Sequence, residues 1–482
     1  MRYVCIHGHF YQPPRENPWT EQVPAQPSAA PFHDWNQRIA AECYRPNAEN
    51  YERISFNFGP TLLRWFETEQ PDLLHTVVQA DRSARLRFGG HGPALAQAWG
   101  HAILPLCAAR DRHTQVLWGL KEFAYRFGRQ AEGFWLPETA VDTPTLETLS
   151  LYGVSFTVLS PYQAAAVRPH DGAWTQVHGG SIDPRRPYWV RLPSGRRIAI
   201  FFFDGPLSAA IAFAGLLESG AALAGRLKAA FSADPAPQLV HVATDGETYG
   251  HHHPGGERAL ARALALFEAD AEVRLTCYGE FLERHPPTQE VRIVERSSWS
   301  CSHGLGRWSR HCGCAASETT EQHWRGPLRK AITGLRQATE GPWQTRVSRW
   351  LNDPWAARDD WILVLLDPSS LRYERFLARH ARTDLSPPER RELAQLFELQ
   401  QRLIQSDTSC AWFFEDLARI ETIQVLQYAA RAIELGERLL GLELEGPFVD
   451  TLAQARSNDP KEGDGRAVWR KARQQDIGLR GS

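Results

Sequence analysis

The sequence predicts an α/β protein, a parallel sheet with helices outside it, followed by a helical second half. Three observations carry this. Short apolar runs alternate with longer helical patterns through roughly the first 280 residues. Beyond residue 285 the strand signals thin out and helical periodicity takes over. Two of the apolar runs also end abruptly on an acid, in FWLPE and in LVHVATD. The alternation alone suits either a barrel or a doubly wound sheet.

The candidate strands are 3–7, 54–58, 86–89, 134–136, 155–159, 198–203, 239–244 and 273–277. Between them a helix is expected over 112–126, with Val116, Leu120 and Phe123 on one face. Another starts near Asp142, where D-T-P supplies a cap and a first-turn proline. In the second half, 389–405 places Leu393, Leu396 and Leu403 at helical spacing, and 421–440 does the same with Ile423, Leu426, Ala430 and Ile433. The expected domains are therefore 1–285 for the sheet and its helices, 286–456 for the helical part, and a polar, mobile tail over 457–482.

Bulk properties narrow the function. Of 482 residues, 43% are hydrophobic, enough for a large core, and the net charge of -2 indicates neither a nucleic-acid nor another polyelectrolyte partner. No run of eighteen apolar residues occurs, so no membrane helix is expected. The N-terminal MRYVCIHGHFYQ lacks the apolar run of a signal peptide, and the eight cysteines are unevenly spread, which together point to a reduced, cytoplasmic protein.

In a parallel sheet all strand ends of one sense lie on one rim, and in barrels that rim carries the chemistry. Glu138 and Asp245 each follow a candidate strand directly, so both belong there. Two carboxylates on one rim are the minimal equipment for breaking a glycosidic bond. The competing explanation is that each acid caps the next helix. Asp142 or Thr143 is the better cap after Glu138, whereas Asp245-Gly246 is also an ordinary turn pair. Further polar and aromatic groups gather at strand ends: His7, His9, Gln12 and Trp19 after the first strand, His101 near the third, Asp204 after the sixth, and Glu247 and His252 after the seventh. Aromatic faces beside neutral hydrogen-bonding groups suit sugar rings. A phosphate substrate would call for a Gly-rich loop and basic groups, and no such fingerprint is present.

These stretches resemble glycoside hydrolase family 57, and more closely its members in which a C-terminal domain of uncharacterised function follows the catalytic one. HGHFYQPP (7–14), GHGPALAQAWGHAILPL (90–106), FWLPE (134–138), ATDGETYGHHH (243–253) and TSCAWFFEDLARIET (408–422) are similar to the family's five regions. The resemblance implies an incomplete (β/α)7 barrel with a helical bundle closing one side of the cleft. It implies a retaining enzyme acting on an α-glucan or maltooligosaccharide, with Glu138 as nucleophile and Asp245 as general acid/base. It adds Trp135 and Trp412 to the substrate-binding candidates His7, His9, Gln12, Trp19, His101, Asp204, Glu247 and His252. It requires no cofactor and no catalytic metal. Phe10 and Tyr11 separate His9 from Gln12, where the family has His directly before Gln-Pro, so His7 and His9 both stand as the residue facing the sugar.

Two other constellations stay open on the sequence. His7, His9, Asp245 and His251 to His253 have the residue types of a metal-dependent hydrolase such as a sugar deacetylase, although three consecutive histidines on a strand cannot all face one ion. Cys301, His303, His311, Cys312 and Cys314 are enough ligands for a structural zinc, or else the loop packs over the rim with Trp299 or Trp308 against glucan. Both acids being present argues against a non-catalytic glucan-binding protein.

Overall fold

The computed structural model describes residues 1–315, 317 and 319–480, with 475–480 described by their backbone. The chain forms two compact units. One contains Met1–Gln12, Ala25–Trp99 and Phe123–Ser300; the other contains Pro13–Pro24, Gly100–Glu122 and Cys301–Ser482.

The first unit is built on parallel strands. Strand β1 (Arg2–Phe10) pairs along its whole length with β10 (Gln238–Asp245), and near its end with β2 (Ser55–Phe58). Single bridging bonds around Phe56 and Ala94 link β2 towards β3 (Ala96–Gln97). From there β4 (Gly133–Trp135), β5 (Phe156–Leu159) and β9 (Arg197–Phe202) continue in parallel. Between β9 and β10 there is no ladder among the described residues. The Asp204 N–H donates to the His241 carbonyl there, at 2.9 Å. A ring of parallel strands left open at one seam is the incomplete barrel that the resemblance implies. Outside this ring, β11 (Val273–Leu275) adds to the start of β1. The segments β6 (Ala164–Pro169), β7 (Thr175–Gln176), β8 (Tyr188–Arg191) and β12 (Gln289–Ile293) extend the sheet beyond β9.

Period-two alternation explains how this ring carries chemistry at one end. The inward positions of β1 read Tyr3, Cys5, His7 and His9; those of β10 read Leu239, His241, Ala243 and Asp245. Tyr3, Cys5, Phe156, Val158, Ala199, Phe201, Leu239 and Ala243 share one buried cluster with Trp135. The inward series thus runs from apolar near the strand starts to polar at their ends. The lower positions bury apolar surface, and the last inward position of each strand is available for function.

One candidate strand is absent. Residues 86–89 end a helix, Pro71–Arg87, with Leu86 fully exposed and Phe88 buried; the third barrel strand is the short β3. The apolar spacing at 86 and 88 came from a helix terminus. The helix expected over 112–126 spans Ala109–Phe127.

The second unit is helical, with Arg325–Val347, Pro354–Leu366, Ser370–His380, Pro387–Gln405 and Ile420–Leu440 among its long members. Within it, buried Asp407 is paired with Arg329 and Arg336, whose charges hold its carboxyl below the usual range despite burial. Within the stretch expected as a polar tail, Gly465–Arg480 folds as a helix, and 481–482 lie outside the described residues. Val468, Trp469 and Ala472 fall at helical spacing and are buried, which gives that segment a packed face. No helix among the described residues is long and apolar enough to cross a membrane.

Candidate active site

Glu138 and Asp245 stand at the ends of β4 and β10 in the same unit. Neither is a helix cap. The helix Thr143–Leu151 is capped by Asp142, whose carboxylate accepts the Thr145 N–H at 2.9 Å. Asp245 makes no side-chain cap bond to the short turn that follows it. Gly246 has a packing reason to lack a side chain: a Cβ there would lie 2.2 Å from the Phe10 ring.

Glu138 is held in an uncommon conformation. Its φ is +57° and that of Thr139 is +49°, two successive non-glycine residues in the left-handed region. Such residues persist where the surroundings over-determine them, at roughly 1–3 kcal/mol each. Here buried Gln163 clamps Thr139. It accepts the threonine hydroxyl at 2.9 Å and donates to the Thr139 carbonyl at 2.8 Å. The Trp299 N–H donates to the Glu138 carbonyl at 3.1 Å. The carboxylate itself is oriented through Oε2, which accepts the Ser300 hydroxyl at 2.7 Å and the Trp299 indole N–H at 3.2 Å.

Asp245 lies in register with His9 across the β1–β10 ladder. Its side chain is exposed, yet poor hydration pushes its carboxyl up to about 7, and the negative charge of Glu138 adds to the effect. Both properties are met in a recess, where water reaches the group but protein crowds it on the other sides. Glu247 is buried behind it. Burial raises its carboxyl to about 8, with the Asp245 charge contributing, while the Tyr44 hydroxyl and the Tyr11 N–H oppose the shift by donating to Oε1 at 2.6 and 3.1 Å.

His7 and His9 are stacked on Trp135, with ring centroids 4.6 and 5.1 Å away. Burial depresses both imidazoles to about 3, so both are neutral at ordinary pH. Asn57 sits between them, its Oδ1 3.1 Å from His7 Nε2 and its Nδ2 2.9 Å from His9 Nδ1; Nδ2 also donates to Gln97 Oε1 at 2.6 Å. His7 Nδ1 also lies 3.0 Å from the Ser55 hydroxyl, and His9 Nδ1 lies 3.2 Å from Asn57 Oδ1 as well, so the proton positions on the two neutral rings follow the tautomer and the orientation of the Asn57 amide. His9 is held as a neutral ring. Tyr11 stacks on its other side at 6.0 Å.

The structure thus gathers His7, His9, Trp135, Glu138, Asp245 and Glu247. Trp135 is fully buried and supports the histidines from below, which corrects its expected place as a sugar contact. Asp204 caps the helix Gly205–Phe213 through a 2.9 Å bond to the Leu207 N–H. Gln12 donates to the Tyr11 carbonyl at 2.9 Å, and His252 is exposed beyond Glu247. Trp19, His101 and Trp412 belong to the helical unit. There Trp19 donates to Glu434 at 2.7 Å and His101 Nδ1 lies 2.7 Å from the Ser409 hydroxyl. Trp412 is also a correction. It is fully buried, donates to the Arg325 carbonyl at 3.1 Å and is covered by the Arg329 guanidinium at 3.8 Å, so no sugar reaches it. Sequence reasoning missed Asn57, Gln163, Tyr44 and Ser300. Asn57 left one signal, a polar residue within the apolar strand SFNF.

The metal-dependent alternative gains no support. His251 turns to Glu42, His253 Nε2 lies 2.9 Å from the Ala212 carbonyl, and neither joins Asp245. The only grouping among the described residues that could jointly hold an ion is Cys301, His303, Cys312 and Cys314.

Comparison with known proteins adds an independent line. The family model described as glycosyl hydrolase family 57 matches residues 7–294, and that of a domain of unknown function, DUF3536, matches residues 321–477. A 4-alpha-glucanotransferase of Thermococcus litoralis is 25% identical over 280 residues, covering 53% of this chain and 38% of the relative. An alpha-amylase of Pyrococcus horikoshii is 23% identical over 284 residues, covering 55% and 40%. The chain therefore spans less than half the length of these relatives. Among solved structures, an exo-type maltose-forming amylase from Pyrococcus sp. ST04 superposes with a TM-score of 0.72 at 16% identity, covering 98% of this chain and 88% of that one. A family 57 branching enzyme from Thermococcus kodakaraensis gives 0.60 at 14% identity, covering 95% of each chain. At these identities the structures establish a shared fold.

Proposed function

The chain belongs to glycosyl hydrolase family 57, and from that premise we propose that it cleaves α-glucans with retention, through Glu138 as nucleophile and Asp245 as general acid/base. The observation that carries the proposal is the coupling of two strand-end carboxyls, one of which is driven towards its protonated form by poor hydration and, secondarily, by the charge of the other.

Glu138, oriented by Ser300 and Trp299, attacks the anomeric carbon and forms a glycosyl ester. Asp245, protonated below about pH 7, delivers its proton to the departing oxygen. Esterification removes the Glu138 charge, and with it one cause of the raised Asp245 pKa. Asp245 becomes a stronger acid at the moment it must be a carboxylate. It then takes a proton from water or from a sugar hydroxyl, and the ester is released with net retention. Neutral His9 offers a hydrogen-bonding nitrogen to the sugar, and the Trp299 and Tyr11 rings offer faces to its C–H surface. The α-glucan assignment is supported by the names of the relatives, a 4-alpha-glucanotransferase and alpha-amylases. Hydrolysis asks least of the acceptor side and is the favoured outcome over transfer or branching.

Incubating the protein with amylose or a long maltooligosaccharide and analysing chain lengths and linkages tests this. Shorter chains with new reducing ends are expected. Redistributed lengths without new reducing ends would replace hydrolysis by transfer, and an unaltered glucan would remove the substrate class.

A further inference from the structure

The geometry points to a structural zinc site in the helical unit, formed by Cys301, His303, Cys312 and Cys314. The ligand atoms of these four residues all lie within 4.8 Å of one another. Cys301 Sγ is 3.9 Å from Cys312 Sγ and 3.7 Å from Cys314 Sγ, and His303 Nδ1 is 3.3 Å from Cys314 Sγ. A tetrahedral ion with Zn–S bonds of about 2.3 Å sets its sulfurs about 3.8 Å apart, and a Zn–N bond of about 2.0 Å brings the mixed edge to about 3.5 Å. The observed edges match both. A disulfide would need sulfurs about 2.05 Å apart, and it would leave the third cysteine without a role. Three cysteines and a histidine are also a recurrent structural zinc set. His311, the fifth residue of suitable type in this loop, stacks on His323 at 4.0 Å and is not part of the group.

An independent observation comes from Arg325. Its side chain is fully buried, yet it pairs with no carboxylate among the described residues. Nη1 donates towards Cys312 Sγ at 3.8 Å and to the Cys314 carbonyl at 3.2 Å, and Nη2 donates to the Phe414 carbonyl at 3.3 Å. A buried cation needs a countercharge. One divalent ion on three thiolates and a neutral imidazole leaves a single negative charge beside this guanidinium. The backbone is shaped to the same end. A Cβ on Gly306 would lie 2.8 Å from Cys312 Cβ, and Gly313, between two of the ligands, has a φ of +75°.

The site also has a consequence along the chain. Cys301 directly follows Trp299 and Ser300, the two residues that orient the Glu138 carboxylate. An ion there anchors the segment at the next residue.

Elemental analysis of the full chain, purified without a polyhistidine tag, tests the site without reference to glucan chemistry. Close to one zinc per chain is expected, with the three cysteines shielded from a thiol reagent until a strong chelator is added. Cobalt replacing the zinc should give a thiolate-to-cobalt charge-transfer band. Cys312→Ser should lose most of the metal, whereas His303→Cys should keep it, since four thiolates also suit zinc. Protein without stoichiometric metal whose three thiols react at once, or a Cys301–Cys314 disulfide found by peptide mapping, would overturn the site. Iron in place of zinc would overturn its identity.

Discussion

Glu138 and Asp245 affect each other through charge, and that gives the residue scale its prediction. The rate should be sustained below about pH 7 and fall as Asp245 loses its proton above it, because the acid step needs the neutral carboxyl. A pH profile of kcat/KM on a maltooligosaccharide checks this. An alkaline limb near pH 4, where an ordinary aspartate titrates, would detach Asp245 from the acid's role. Both acids were legible in the sequence because each interrupts an apolar strand at its end. The groups that tune them were not. Ser300 and Gln163 reach Glu138 and Thr139 from distant segments, and nothing local marks a serine or glutamine as a clamp. Trp412 misled for the opposite reason. A tryptophan in a suggestive stretch does not announce whether its face is open, and here Arg329 covers it.

At the scale of elements, the turn after β4 and the helix behind it set the position of Glu138. Gln163→Ala removes the clamp on Thr139 and leaves buried partners unmet, at about 1–3 kcal/mol. It should lower kcat more than it raises KM, since the nucleophile is misplaced while most sugar contacts remain. An unchanged kcat would show that the turn holds its conformation unaided. Asp142→Ala should lower stability by about 1 kcal/mol, read from urea denaturation, through loss of the helix cap. It should spare the chemistry, and a collapse of activity without loss of stability would contradict the capping role. Strands of the barrel were legible wherever an apolar run was long. The two-residue β3 was not, because so short a strand has no periodicity, and the helix terminus at 86–89 carried a better imitation of one.

At the scale of the whole molecule, the recess of neutralised groups makes stability depend on pH. Glu247 is raised to about 8 by burial. The folded chain therefore keeps a proton that the unfolded chain releases near pH 4. The resulting stability is fully present below that value and is lost as pH rises through about 8. His7 and His9 act in the other direction. Depressed to about 3, they favour the folded state above about pH 6.5 and lose that contribution as pH falls towards 3. Since glutamine imitates the protonated acid, Glu247→Gln should gain on the native protein in urea denaturation between pH 5.5 and pH 9; a constant gap would mean that Glu247 titrates normally. The alternation of strands and helices made the α/β class legible, and the paired acids together with the family-like stretches made the rim legible. The open seam and the packed C-terminal helix depend on long-range contacts that no local pattern records. The central claim, that two strand ends supply one catalytic pair, is tested most directly by initial rates on a maltooligosaccharide for the native protein, Glu138→Gln, Asp245→Asn and the double variant. Each single variant should lose roughly 10³-fold or more, and the double variant little beyond the worse single one, because residues acting as a unit are not additive. Either single variant retaining activity within about tenfold of the native rate would contradict the pair.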